Sequence, residues 1–218
     1  MNWREQKTTR TFDTSAFRGY TLARKTNLFM PNQNHFSLET SAPPLYLIRH
    51  ATPDWSRKDI PYNVPPGPPL IEKGEKEAGQ LGDFLKQAGV RRLYSSPMER
   101  AARTAWIAAR RAHIQHESRL EVIEKGPKES PDDVIRRFWP FWERCVLESR
   151  QQGSIGIVTH GGPVWIVLTR LNMDAAELDR HRHMFDGDNP LPPAGAWEIS
   201  RRDETSPWEF KLAFIPTA

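Results

Sequence analysis

The sequence predicts an α/β domain: a central, mostly parallel sheet with helices on both faces and an antiparallel strand at one edge. Three observations carry this. The runs Leu45-Tyr46-Leu47-Ile48 and Ile155-Gly156-Ile157-Val158 are short, apolar and bounded by polar residues, as buried strands are. Amphipathic helical stretches lie between the apolar runs, the alternation that builds parallel sheets. Near the end, residues 196–200 and 208–214 alternate with period two and read as a terminal strand pair.

Taken in order, residues 1–44 are polar, basic and rich in Thr and Ser, and they close with Ala42-Pro43-Pro44. They show no sustained helical or strand period, so they read as an N-terminal extension, flexible or draped over a single domain at 45–218. An organelle transit peptide has a related composition, although three acids and the lack of an amphipathic face count against it. The first strand, 45–48, runs into Arg49-His50-Ala51-Thr52. A loop follows to Pro69, with five prolines between Pro61 and Pro69 and with Trp55, Arg57 and Lys58. Proline fixes φ, so this loop is stiff, and loops of this length often serve as lids or binding loops.

Leu70-Ile71-Glu72-Lys73-Gly74 opens a helix to about Ala88. Ala78, Leu81, Phe84 and Leu85 form its apolar face, and Gly89 ends it. Residues 90–94 make a second strand. Ser96 and Pro97 then suit the N-cap and first turn of a helix through Ile107, with Arg100 in its first turn. His113-Ile114-Gln115-His116 reads as a short strand, and 117–129 as an irregular, carboxylate-rich segment. Ser130-Pro131-Asp132-Asp133 is a strong helix start. That helix carries an aromatic stripe, Phe138, Phe141 and Trp142, that reads as core, and Pro140 is expected to kink it. After the strand at 154–158 come Thr159-His160-Gly161-Gly162 and a helix from Pro163. Asp174 caps another helix, to about His183.

Bulk properties narrow the function. At 218 residues the chain is one domain, or one domain and a tail, and 38% hydrophobic residues can bury a core. The net charge is +4 and the pI about 9.3. Within 1–44, six Lys/Arg face three acids, so the excess lies largely there. The remainder is too balanced for the basic stripe of a nucleic-acid binder. The single cysteine, Cys145, excludes an intrachain disulfide framework and reads as a buried structural thiol. No run of about 18 apolar residues is present, and the start lacks a secretory apolar region, so no membrane partner is expected. The expected setting is cytoplasmic, with organelle import through the leader as the other reading. His181 and His183, with Asp179, Asp186 and Asp188, are not read as a metal site, because on a helix the two histidines diverge by about 200°. Nothing in the sequence specifies an oligomeric state.

Ligands of open α/β sheets bind beyond the carboxyl ends of the strands. Arg49-His50 sits at one such tip. Alone it could be a solvated strand end, but the second strand tip repeats the layout with His160. Arg100, at a helix start where a side-chain cation is not favoured, makes sense if an anion is bound there. Two guanidiniums can fork onto the oxygens of one phosphoryl group. One unprotonated histidine can attack phosphorus, and the other can donate to a phosphoryl oxygen. With arginines stabilising the charge, no metal and no cofactor are called for.

These residues resemble the histidine phosphatase superfamily, the phosphoglycerate-mutase-like "RHG" proteins. Leu47-Ile48-Arg49-His50-Ala51-Thr52 resembles the signature strand and loop. Leu70-Ile71-Glu72-Lys73-Gly74 with Ala78 looks like "LTxxG…A". Ser95-Ser96-Pro97-Met98-Glu99-Arg100-Ala101-Ala102-Arg103-Thr104-Ala105 is close to "SSPxxRAxxTA", Lys128-Glu129-Ser130 leading to Arg137 is similar to "GES…R", and Val158-Thr159-His160-Gly161-Gly162 resembles "VSHGG". The five matches stand in family order across about 45–168.

The resemblance implies a phosphoglycerate mutase-like fold, with His50 as nucleophile through a phosphohistidine. It implies Arg49 and Arg100 as phosphate clamps, His160 as a further donor, and Thr52 lining the site. The family's general acid is a Glu two residues after a Leu, and here Leu120 places Val122 at that point. Glu121 and Glu124 flank it, and Val122-Ile123-Glu124 keeps an apolar-x-Glu spacing. A second departure is Ala51 in place of the "RHG" glycine.

The leading expectation is a metal-independent phosphatase acting on a phosphomonoester, with a small phosphorylated metabolite as its substrate. A phosphoglycerate-type mutase is the same-fold alternative, and the short stretch from Leu120 to Glu129 favours hydrolysis over it. A non-catalytic phospho-ligand binder or scaffold is the alternative of another class, motivated by the shifted glutamate. A phosphoprotein phosphatase with an open cleft is a further possibility.

Overall fold

Four strands run parallel and in register so that their carboxyl ends reach one edge of the sheet together. The computed structural model describes residues 42–185 and 189–217, all within the unit Glu39–Ala218. Residues 1–41 of the expected extension, and Asp186 and Asp188, lie outside the described residues. The elements are β1 (Leu45–Arg49), α1 (Glu72–Gln87), β2 (Arg92–Ser95), α2 (Glu99–Ala112), β3 (Gln115–Ser118), α3 (Pro131–Gln152), β4 (Ile155–Thr159), α4 (Gly161–Arg170), α5 (Ala175–Met184), β5 (Ala196–Ser200) and β6 (Glu209–Phe214). A single 3₁₀ turn, Leu120–Val122, lies between β3 and α3.

The strand order is β3-β2-β4-β1-β5-β6. β3, β2, β4 and β1 are parallel neighbours, and β5 joins β1 antiparallel and carries β6 antiparallel at that edge. The fold is therefore the α/β class that the sequence predicts. Successive strand side chains face opposite sides, and the central strands accordingly feed two cores. Leu45, Leu47, Ile155 and Ile157 pack with Phe138, Phe141 and Trp142 of α3 and Val164 and Leu168 of α4. Tyr46, Ile48, Leu93 and Val158 pack with Ala78, Leu81 and Leu85 of α1 and Ala101, Ala105 and Ala108 of α2. Each fully buried Leu or Phe among these contributes roughly 1.5–3 kcal/mol. Cys145 is a free thiol buried in the α3 core.

Several boundaries move from their sequence positions for local reasons. α2 starts at Glu99 with Met98 as N-cap and no side-chain cap, because the Ser96 hydroxyl is engaged elsewhere. The strand expected at 113–116 is displaced to Gln115–Ser118, since His113 closes α2 in a left-handed conformation (φ 59°). α4 begins at Gly161, two residues before the expected Pro163, which is tolerated in a first turn. α3 has the full capping box of Ser130 and Asp133. It runs unbroken through Pro140 to Gln152, held by the packing of its aromatic face. Gly89 takes φ 68° after α1, the left-handed turn that suits glycine. Among the described residues, no helix is long and apolar enough to cross a membrane.

Candidate active site

The register that aligns the strands also aligns their tips. Arg49 pairs with Thr159, and Ser95 with Val158. Backbone bonds continue one residue further: His50 N–H donates to the Thr159 carbonyl (2.9 Å) and Ser96 N–H to the Val158 carbonyl (2.9 Å). His50, Ser96 and His160 are thereby fixed side by side before any side-chain contact is considered. The two histidine rings lie 5.2 Å apart, centroid to centroid. His50, Arg100 and His160 are fully buried and Arg49 nearly so.

His50 holds its Nδ1 2.7 Å from the Ala51 carbonyl, which accepts only, so the ring proton sits on Nδ1. Nε2 is left with its lone pair, and Arg100 Nε donates to it at 3.2 Å. Burial, then the charges of Arg100 and Arg49, hold the His50 pKa well below its usual value. The lowering favours the neutral imidazole, which carries its lone pair on Nε2.

His160 is kept neutral by burial and by the neighbouring His50 and Arg100. Its Nε2 lies 2.7 Å from Ser96 Oγ. Ser96 Oγ already accepts the Met98 N–H (3.2 Å), so its own hydrogen is available to Nε2. With the Ser96 hydroxyl donating to Nε2, the ring proton of His160 is on Nδ1, a buried atom with no hydrogen-bond partner, 3.6 Å from Glu124 Oε2. A buried donor without a partner is costly and marks a place for an acceptor.

Glu124 turns one carboxylate oxygen to its backbone, with Oε1 accepting from Lys125 N–H (2.9 Å). Oε2 faces Arg100 Nη2 (3.4 Å) and His160. Burial raises its pKa, against the lowering by the Lys125 amide and Arg100. Glu124 is thus a carboxyl beside His160 whose burial favours its protonated form. Arg137 fixes the segment that carries it. Its guanidinium forks onto Glu129 (2.9 and 3.0 Å) and donates to the backbone carbonyls of Glu121 (2.7 Å) and Glu124 (3.2 Å). On the other side, Arg49 Nη1 donates to the Leu191 carbonyl (2.9 Å).

Two candidates from the sequence are placed elsewhere. The Glu121 carboxylate pairs with Arg144 on a solvent-facing side (2.7 Å), because the 3₁₀ turn sends residues 121 and 124 in different directions. The Thr52 hydroxyl donates to Glu77 Oε1 (2.9 Å) and its N–H to Oε2 (2.8 Å), which ties the loop start to α1 instead of presenting the hydroxyl to the histidines. Ala51 does not adopt a positive φ, so the missing glycine costs the backbone nothing; its N–H donates to Thr104 Oγ1 (3.0 Å).

The sequence reading missed Tyr62. Its hydroxyl lies 3.2 Å from His50 Nε2, its ring lies under the Arg100 guanidinium at 3.9 Å, and its carbonyl accepts from Arg100 Nη1 (3.0 Å). An aromatic residue in a stiff loop leaving the tip was the available signal. Gly67, φ 70°, follows it, where a Cβ would meet Arg100 Nη1 at 2.6 Å. The loop can lie this close to the arginine only with glycine there.

This arrangement can bind a tetrahedral anion between Arg49, Arg100 and His160, attack it through His50 Nε2, and protonate a leaving oxygen from Glu124 Oε2. Comparisons with known proteins agree on the lineage. The family model for the histidine phosphatase superfamily (branch 1) matches residues 45–126 and 116–189. A curated relative from Salmonella arizonae, named a probable phosphoglycerate mutase, is 30% identical over 114 residues, covering 51% of this chain and 53% of that protein. The chain spans about half the length of the curated relatives it matches. A mycobacterial glucosyl-3-phosphoglycerate phosphatase superposes with a TM-score of 0.62 at 17% identity, over 78% of this chain and 97% of that one. A phosphoglycerate mutase from Bacillus anthracis str. Sterne does so with a TM-score of 0.62 at 17% identity, over 80% and 94%. With its tips, helix start and sheet order all accounted for, the chain belongs to the histidine phosphatase superfamily.

Proposed function

We propose that the protein is a metal-independent phosphatase that hydrolyses a small phosphomonoester through a phosphohistidine on His50. One observation carries the reading: His50 Nδ1 is committed to the Ala51 carbonyl, leaving Nε2 unprotonated beside Arg100. In the first step Nε2 bonds to phosphorus and the ester P–O bond breaks. The leaving oxygen takes the proton of Glu124. Water then attacks phosphorus, Glu124 takes the water proton, and the P–N bond breaks to release inorganic phosphate and free His50. Arg49, Arg100 and His160 Nδ1–H stabilise the charge on the transferring oxygens, which is the work a metal would otherwise do.

Release of inorganic phosphate from p-nitrophenyl phosphate in excess chelator, compared between wild type and His50→Ala, tests this. Chelator-resistant release that disappears in the variant is the expected result. A folded wild type that releases none overturns it.

The mutase reading is favoured by one observation, the phosphoglycerate mutase names among the curated relatives. The short stretch from Leu120 to Glu129 supports hydrolysis over it. Formation of an isomeric phosphoester in place of inorganic phosphate would decide for the mutase. The binder reading draws on a shifted acid, and Glu124 lies beside His160.

A further inference from the structure

His50, Arg100 and His160 have no solvent exposure, although each is a group that a substrate must touch. What covers the attacking nitrogen is Tyr62. Its hydroxyl stands 3.2 Å from His50 Nε2. A phosphorus atom poised for attack must come within about 3–3.5 Å of that same nitrogen. The phenol oxygen and the phosphoryl group therefore exclude each other.

Tyr62 also satisfies the groups that a phosphate would satisfy. Its hydroxyl shares the Nε2 lone pair with Arg100 Nε, its carbonyl accepts from Arg100 Nη1 (3.0 Å), and its ring faces the guanidinium (3.9 Å). Trp55 stacks on the outer side of the ring at 5.0 Å and 20°. The loop is hinged on fixed points. Pro53 and Leu70 form a bridge, Asp54 N–H donates to the Pro69 carbonyl (2.7 Å), and Glu99 N–H donates to the Pro66 carbonyl (2.8 Å). Trp55 and Val64, between those points, are about half exposed (47% and 50%).

We propose that Tyr62 is a plug in competition with substrate: its hydroxyl holds the position that a phosphoryl group must take, and the phosphate group has to displace it. The inference rests on the phosphatase reading for its catalytic consequence, but not for the competition itself. A ligand that binds only the displaced form has its affinity reduced by the fraction of molecules in that form. Inorganic phosphate has only its own oxygens with which to displace the plug. A phosphomonoester can add contacts from its esterified group to the vacated loop face. Tyr62 therefore weakens both ligands by the same factor, and only the ester has further contacts with which to offset that loss.

The test is titration of folded protein with inorganic phosphate, read by calorimetry, for wild type, Tyr62→Phe and Tyr62→Ala, alongside p-nitrophenyl phosphate turnover. Tyr62→Phe removes one hydrogen bond from the plugged form, so phosphate should bind about two- to tenfold tighter. Tyr62→Ala also removes the ring and should bind tighter still, with stronger inhibition of turnover by phosphate. Unchanged or weaker binding in both variants overturns the plug and makes Tyr62 a substrate contact or a bystander. If wild type turns over ester while the variants bind phosphate no tighter, the plug fails and the phosphatase reading stands. If nothing turns over ester but the variants bind phosphate tighter, the plug stands and the phosphatase reading fails.

Discussion

Arg137 donates to the backbone carbonyl of Glu124 at 3.2 Å while its other edge is locked onto Glu129. The acid is thus positioned through its main chain by a side chain from α3, thirteen residues later. Removing the fork should let the 120–126 segment relax, and a shift of about 1 Å in a reacting group can cost on the order of a hundredfold. Arg137→Ala is expected to lower kcat by about ten- to a hundredfold with little change in KM, because Arg49 and Arg100 still hold the phosphate. Steady-state kinetics on wild type, Arg137→Ala and Arg137→Lys would check the split, with Lys restoring less than half of the loss because it cannot fork.

In the proposed mechanism, Glu124 and His50 set opposite limbs of the pH profile. Activity needs neutral His50, whose pKa is lowered by burial and the two arginines, and protonated Glu124, whose pKa is raised by burial. Rates should fall below the His50 value and fall again as pH rises through the Glu124 value. Glu124→Gln should lower kcat by about 10²–10⁴-fold on alkyl phosphates. The loss should be much smaller on p-nitrophenyl phosphate, whose leaving group needs no proton, and the alkaline limb should vanish. A kcat/KM profile with that limb intact in Glu124→Gln would assign the acid elsewhere.

Ser96 is expected to matter through His160. With Ser96→Ala, the proton of His160 is no longer directed to Nδ1, and the phosphoryl donor is lost in part of the population. The kcat should drop by about ten- to a hundredfold, less than the 10²–10³-fold typical of deleting a donor outright. His160→Ala provides that comparison, and the double variant should lose no more than His160→Ala alone.

Buried neutral histidines also tie stability to pH. The folded values of His50 and His160 lie well below 6.5, so below about that pH the unfolded chain binds protons that the folded chain does not. Their contribution is fully present above pH 6.5 and is lost as pH falls toward the lowered values. Each can add up to about 1.4 kcal/mol per pH unit to the slope. Glu124, raised when folded, works in the opposite sense as it takes up its proton. Urea unfolding at pH 7.5, 6.5 and 5.5 should show stability falling with acid, and His160→Asn should flatten the slope.

Much of the site can be read from the sequence because its chemistry sits where elements end. Arg49-His50 and His160 follow apolar runs, so their place at the sheet edge comes with the strand assignment. Arg100 stands out at a helix start. What escaped depends on contacts that only the folded chain creates. Ser96 has the composition of an N-cap, and its bond to His160 64 residues away has no local trace. Glu77 lies on the inward face of α1 like any core position, yet it holds Thr52. Tyr62 is an aromatic residue in a stiff, proline-rich loop leaving the tip, but that stretch has no periodicity to say which way the ring turns. Glu121 and Glu124 could not be separated by spacing, since the 3₁₀ turn alone decides which one faces inward.

The bridge between Pro53 and Leu70 has a consequence for how such an enzyme can diversify. A closed neck makes the intervening chain a cassette. Its ends stay put whatever lies between them, and doubling a loop's length adds only about 0.6 kcal/mol of closure cost. Transplanting a different 55–61 stretch with Tyr62 kept should therefore change which esters are accepted while leaving the histidines, their tautomers and the sheet register undisturbed. The outer part of the loop can vary without touching the groups at the strand tips.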